Sequence, residues 1–129
     1  MKIKGPFEVK LSPLDFSATG DEGVKLGRMS IAKVFQGELA ATSVGEMLSA
    51  MTSTKGSAGY VAIEQVVGTL QGKKGGFVLQ HFGIMNRGAD RLILEIVPDS
   101  GTGELKGISG KMAILFEGPQ HFYEFEYFL

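Results

Sequence analysis

Three polar residues, Glu64, Gln80 and His81, interrupt otherwise apolar stretches in the middle of the chain. A carboxyl group that faces an apolar interior has its pKa raised by desolvation, so Glu64 could serve there as an acid or a base. Tyr60 adds a phenol that could orient a bound molecule. We therefore predict Tyr60, Glu64, Gln80 and His81 as ligand-binding residues. The alternative, that Glu64 faces solvent or pairs with a lysine, stays open.

Other motifs in the chain do not identify a reaction. The glycines and lysines of segment 68–74 lack the spacing of a phosphate-binding loop, and Ser109 lacks the strand-to-helix context of a nucleophile elbow. His81 and His121 are the only histidines, and neither belongs to a local metal-binding pair. We therefore predict no metal site and no cofactor, and we assign no catalytic residue.

The bulk composition narrows the class of protein. The chain has 129 residues, a net charge of −1 and no cysteine, which excludes disulfides and thiolate chemistry. A balanced charge gives no reason to expect nucleic acid or a membrane surface as a partner. Because the N-terminal residues contain no apolar signal segment, we expect a cytoplasmic location.

Hydrophobic side chains alternate along several segments with a period of two, which predicts β-strands. The clearest case is residues 119–129, where aromatic and aliphatic residues oppose Glu124 and Glu126. Segments 59–71 and 76–86 are predicted to form a hairpin through a turn at residues 72–75. In simple register, residues 64–68 would face the region around 80–84, which brings Glu64 near Gln80 or His81.

Two further segments bear on the architecture. Residues 60–70 are apolar on both faces, which predicts a strand covered on both sides. Residues 43–52 have apolar residues at helical spacing, but Gly45 lies within them, so we favour a strand that continues from Leu39 to about Met51 over a short helix. Seven or eight strands with glycine-rich turns predict an all-β fold, a single small antiparallel barrel of about eight strands spanning residues 1–129.

Four blocks from the middle of the chain onward carry a family resemblance, which extends from about Gly27 to the C-terminus. These are Gly56–Glu64, Gly68–Gly72, Gly76–His81 and Gly101–Gly110. In order and spacing they resemble a family of uncharacterised bacterial proteins with a barrel similar to that of allene oxide cyclase. The resemblance implies an eight-stranded, often oligomeric barrel with no established activity, and it transfers no catalytic residue.

Two classes of function are compatible with these features. The first is a non-enzymatic barrel that binds a small apolar ligand or serves as an oligomeric structural unit. Phe122 and Phe128, on the otherwise acidic face of the last strand, would suit a contact between subunits. The second is an isomerase or cyclase that holds an apolar substrate inside the barrel, with Glu64 and a tyrosine handling a proton.

Overall fold

The structure, a computed structural model that describes all 129 residues, consists of nine β-strands and contains no helix. Accordingly, no helix is present that is long and apolar enough to cross a membrane. The strands are β1 (Lys2–Leu14), β2 (Lys25–Phe35), β3 (Leu39–Met51), β4 (Ala58–Leu70), β5 (Lys73–Asn86), β6 (Ala89–Ile96), β7 (Thr102–Gly103), β8 (Ser109–Glu117) and β9 (Gln120–Phe128).

Eight of the strands close into an antiparallel barrel. Their order is β4-β3-β2-β1-β9-β8-β6-β5, and pairing of β5 with β4 closes the ring. The short strand β7 is additional and pairs only with the start of β5. The junction between β6 and β8 is the least regular, because a single registered pair, Glu95 with Lys111, joins these strands. The prediction of an all-β antiparallel barrel of about eight strands is confirmed.

Residues 39–51 form the continuous strand β3, so the strand prediction for the ambiguous segment 43–52 is confirmed. Its neighbours explain why helical spacing did not produce a helix. Strand β3 pairs along its whole length with β4 and from Ala41 to Met51 with β2, which satisfies its backbone groups inside the sheet. Tertiary pairing therefore overrides the local pattern.

The hairpin between β4 and β5 forms, but its predicted register is wrong. The turn consists of Gln71 and Gly72, both with positive φ, and Leu70 pairs directly with Lys73. Two residues with positive φ make the tight turn whose twist suits a hairpin, so the loop is shorter than the predicted 72–75 turn. As a result Glu64 lies opposite Leu79, and His81 lies opposite Ala62.

The interior is filled differently at its two ends. The closed end is formed by the last residues of β2, β4 and β6 and the first residues of β3, β5 and β8. It contains the aromatic core, and segment 104–108 covers it by burying Leu105 and Ile108. Tyr123 sits at its centre, and the Tyr123 hydroxyl donates to the Gln36 carbonyl oxygen at 2.7 Å. The open end is formed by the last residues of β1, β3 and β5 and the first residues of β2, β4 and β6.

The outer face of β4 corrects a second expectation. Val61, Ile63 and Val67 remain about half exposed, so the strand is covered on its inner face only. The reason is that one layer of eight strands closes the barrel, and no second layer packs outside it. The apolar residues on this outer face thus have no partner within the chain.

Candidate functional site

Four polar side chains point into the barrel from four neighbouring strands. Lys33 comes from β2, Ser43 from β3, Glu64 from β4 and His81 from β5. Each occupies an inward position of the two-residue alternation, and each is buried, Glu64 completely. Together with Tyr60 they form what we call the polar network.

Glu64 is the centre of the polar network. Its Oε1 accepts a hydrogen bond from the Ser43 hydroxyl at 2.9 Å. Its Oε2 accepts from the Lys33 ammonium at 2.9 Å and lies 2.5 Å from His81 Nε2. No buried polar side-chain atom in the structure lacks a hydrogen-bond partner. The network is therefore fully satisfied, as a buried ion pair requires if it is not to be strongly destabilising.

The electrostatics of this arrangement keep Glu64 ionised. Burial alone would raise its pKa, but the hydrogen bond from His81 and the charge and hydrogen bond of Lys33 outweigh burial and lower the pKa to about 2. The Lys33 ammonium also lies 5.3 Å from the centre of the Phe7 ring and 5.8 Å from that of Phe35. These ring faces provide a further favourable environment for the buried cation.

The charge on Glu64 determines which nitrogen of His81 carries a proton. An ionised carboxylate only accepts hydrogen bonds, so His81 Nε2 must donate to Glu64. In the neutral imidazole, Nδ1 is then an acceptor. Tyr60 Oη lies 3.3 Å from Nδ1, so with His81 neutral it donates its proton to this nitrogen. The Tyr60 oxygen is left with lone pairs that can accept a hydrogen bond from elsewhere.

The position of the Tyr60 ring depends on a glycine on the neighbouring strand. Tyr60 pairs with Gly83, and a Cβ atom at Gly83 would overlap the Tyr60 ring. The missing side chain thus allows the ring to lie across β5 and reach His81. Burial and the charge of Glu64 raise the pKa of Tyr60, which keeps its hydroxyl protonated near neutral pH.

Tyr60 also lines a pocket at the open end of the barrel, which we call the mouth pocket. Its volume is about 390 Å³, within the range of small-molecule sites. Its walls are mainly apolar and include four of the six methionines of the chain; the main lining residues are Met29, Met47, Met51, Met85, Ile84 and Leu92. Methionine side chains adapt their shape to different partners, so such a pocket can accommodate apolar molecules of varied outline.

Of the four predicted site residues, the structure brings three together. Tyr60, Glu64 and His81 lie in one hydrogen-bonded chain, even though the predicted register of their hairpin is wrong. Gln80 projects from the outer face of the barrel, beside Ile63 and Glu95, because it is one residue out of phase with His81. The alternative that Glu64 faces solvent is wrong, whereas its pairing with a lysine is observed inside the barrel.

Sequence reasoning missed Lys33, Ser43 and the methionines. A signal for Lys33 was available, since it shares the inward face of β2 with Ile31 and Phe35. A lysine between two buried apolar residues of one strand face requires an anionic partner. Ser43 and the methionines carry no such signal, because their types are common in strands of any exposure.

The arrangement offers hydrogen bonding and proton transfer rather than metal chemistry. No group of three or more histidine, cysteine, aspartate or glutamate side chains is arranged to hold a metal ion. The acceptor capacity of the Glu64 carboxylate is already taken by donors on Lys33, Ser43 and His81.

Comparisons with known proteins agree with this architecture. The chain is similar to a protein of unknown function from Shewanella oneidensis MR-1, whose crystal structure superimposes with a TM-score of 0.98. The two are 63% identical, and the match covers 100% of this chain and 96% of the other. No curated protein matches the sequence. The predicted likeness to a family of uncharacterised bacterial proteins is thus confirmed, while the likeness to allene oxide cyclase stays a prediction. Since the model of the family described as protein of unknown function DUF3224 matches residues 3–127, the chain belongs to that family.

Proposed function

We propose that the barrel binds a small, mainly apolar molecule that carries one hydrogen-bond donor. The observation that supports this most directly is the mouth pocket, whose methionine-rich wall meets a half-buried phenol hydrogen-bonded to His81. Apolar walls supply affinity through burial of the ligand, and a few placed polar groups select its orientation.

The hydrogen-bond direction within the polar network favours a donor on the ligand. Because Tyr60 donates its proton to His81, its oxygen faces the pocket as an acceptor. An alcohol or an amine can donate to this oxygen, whereas a carboxylate has no proton to donate and would bring its own lone pairs against those of Tyr60. We therefore expect a hydroxylated apolar ligand to bind more tightly than the matching fatty acid.

A matched series of ligands tests this proposal. Binding of decanol, decanone and decanoate is measured by calorimetry, alongside a thermal-shift screen of fatty acids and other small hydrophobes. We expect decanol to bind and stabilise the protein, with decanoate at least about tenfold weaker, the difference expected for one good hydrogen bond.

Two variants and one control locate the binding. Ser49→Phe places a large ring in the mouth pocket and should abolish binding, and Tyr60→Phe should weaken decanol by about tenfold. Tyr127→Phe serves as the control, because it removes a phenol at the closed end, where Tyr127 bonds Gln71. No stabilisation by any ligand, or equal binding to Ser49→Phe, would refute the proposal.

A second candidate, an isomerase, is favoured by the chain of contacts from Tyr60 through His81 to Glu64. Tyr60 could accept the hydroxyl proton of a bound enol while its own proton passes to His81 Nδ1, and Glu64 would stabilise the resulting imidazolium. When a proton is then delivered from the same chain of groups to the enolate carbon, the product is the ketone. The reaction is therefore a tautomerisation with no other reactant.

This candidate is tested with an apolar diketone, dodecane-2,4-dione, whose enol is followed by its absorbance. We expect faster conversion with the protein, and a loss of roughly 10²-fold in Tyr60→Phe and His81→Gln, the usual contribution of a proton-transfer group. If the diketone binds but tautomerises at the uncatalysed rate, the barrel is a binding protein and the isomerase candidate fails.

A further inference from the structure

The outer surface of the barrel carries a continuous apolar patch over β3, β4, β5 and β6. The strand register places Leu48, Val61, Phe82 and Ile93 side by side in one uninterrupted row across the four strands. With their apolar neighbours they form what we call the apolar wall, made of Val44, Leu48, Val61, Ile63, Val67, Phe82, Ile84 and Ile93.

The opposite outer surface, on β1, β9 and β8, is organised differently. There, ion pairs join Lys2 to Glu124 at 3.0 Å and Lys4 to Glu117 at 2.9 Å, as expected for a surface that stays in water. The apolar wall has one comparable pair, between Arg28 and Glu46; Glu46 lies on β3 between Val44 and Leu48, opposite Ile63. No ion pair joins the outward faces of β4, β5 and β6, where Val61, Phe82 and Ile93 stand side by side.

The size of the apolar wall matches half of a stable interface. Its eight side chains are between 38% and 65% exposed. At about half exposure, eight side chains of this size present on the order of 600 Å², the upper end of what a monomer usually shows. A standard interface buries about 800 Å² on each partner, so the wall would supply most of that area.

We propose that the apolar wall is the contact between two copies of this chain, packed face to face around a two-fold axis. A second copy presents an identical apolar surface, which needs no charged counterpart on its partner. The wall also has a depression that can receive side chains of the facing copy; it is lined by Leu48, Val61, Ile63 and Phe82 together with the polar residues Arg28, Glu46 and Gln80. Gln80, which pairs with Ile63, and Glu95 beside it can form polar contacts with the facing copy.

This surface differs from the one predicted on the last strand. Phe122 is half-buried, with the Lys4 ammonium 5.2 Å from the centre of its ring, and Phe128 stands exposed among charged neighbours. The two surfaces can be separated by matched substitutions, since Val61 and Phe128 both project outward from strands of the barrel.

The test is the mass of the protein in solution, followed by sedimentation or light scattering from micromolar to high micromolar concentrations. We expect a dimer for the natural chain and for Phe128→Lys, and a monomer for Val61→Lys. In a two-fold contact each lysine would face an apolar partner surface, and we expect dissociation to be at least about tenfold more favourable. Ile63→Lys is the second variant if Val61→Lys does not fold, and the circular dichroism spectrum checks folding.

Three results would overturn the proposal. The first is a monomeric mass for the natural chain at the highest concentration. The second is an assembly that both lysine variants of the apolar wall leave intact. The third is an assembly that Phe128→Lys dissociates while Val61→Lys does not, which would place the contact on the last strand instead.

Discussion

The closed end and the open end of the barrel interior are lined by the same strands but filled by different side chains. At the closed end, rigid rings such as Phe77 and Phe125 stack with their centres 5.5 Å apart and are fully buried. At the open end, methionines surround a pocket of about 390 Å³. The polar network lies between them, so one tube combines a packed core with an adaptable cavity.

The difference shows how a small barrel can separate stability from binding. Close-packed aromatic rings contribute most to the free energy of unfolding, because each buries a large area and leaves a cavity when truncated. Flexible methionines contribute less to stability but tolerate different occupants. We therefore expect substitutions at the two ends to have unequal effects on folding and binding.

The largest expected effect is on the core of the closed end. Phe125→Ala should lower the free energy of unfolding by about 4 kcal/mol, because the ring is fully buried and its loss leaves a cavity. Met47→Ala, in the mouth pocket, should lower it by about 1 kcal/mol, since that site is already open. Urea unfolding of both variants checks this pair. Equal losses would contradict the contrast between the two ends.

The next effect concerns the boundary between the ends. Glu64→Gln leaves the buried Lys33 ammonium without its counter-charge and should destabilise the protein by about 3 kcal/mol. The double variant Lys33→Met/Glu64→Gln removes both charges, so its loss should be smaller than the sum of the single losses. A double-mutant cycle measures this coupling. Strict additivity would show that the two groups do not act as a pair.

Stability should also depend on acid pH through Glu64. Its pKa falls from the ordinary 4.5 to about 2 in the folded protein, because the hydrogen bond from His81 and the Lys33 charge outweigh the effect of burial. A depressed pKa contributes stability above pH 4.5 that is lost as pH falls toward 2, by up to about 3 kcal/mol. Unfolding measured across this range should show the loss. In Glu64→Gln this part of the acid dependence should disappear, and its persistence would assign it to other carboxylates.

The smallest effect compares one phenol from each end. The Tyr123 hydroxyl donates to the Gln36 carbonyl oxygen and accepts from the buried Leu39 amide, so Tyr123→Phe should cost about 2 kcal/mol. The Tyr60 hydroxyl has a longer bond at the pocket edge, so Tyr60→Phe should cost about 0.5 kcal/mol while it weakens ligand binding. Thermal and urea unfolding compare the two variants. A larger loss for Tyr60→Phe would make the polar network, not the core, the main source of stability.

The fold was predictable because alternation of side chains survives in most strands. Residues 119–129 alternate so regularly that β9 follows directly from them. Strand β3 was harder, since Met47, Leu48 and Met51 also suit a helix, and only pairing on both edges decides the matter. The exact register depends on the length of the turn. Because the turn consists of Gln71 and Gly72 only, the pairing of β4 with β5 is shifted by several residues from the predicted one.

The candidate site was predictable only in part. Glu64 and His81 stand out because a polar residue in an apolar strand needs an explanation, but Gln80 satisfies the same criterion and faces outward. What distinguishes them is which of the two alternating sets of residues in the strand points inward. That choice depends on the burial of all residues of the strand and cannot be read from a single residue. Lys33 belongs to a strand remote in sequence, so its pairing with Glu64 depends on the order of strands around the barrel.

The single registered pair between β6 and β8 has a consequence for motion. Every other junction of the ring is held by a longer ladder, so separation at β6–β8 breaks the fewest backbone hydrogen bonds. Local opening occurs most often where it costs the least free energy, and amide hydrogen exchange measures how often each amide is exposed in this way. Amides of β6 that face β8 should therefore exchange fastest among the barrel strands. Since Leu92 of β6 lines the mouth pocket, this opening would widen the route by which a molecule enters.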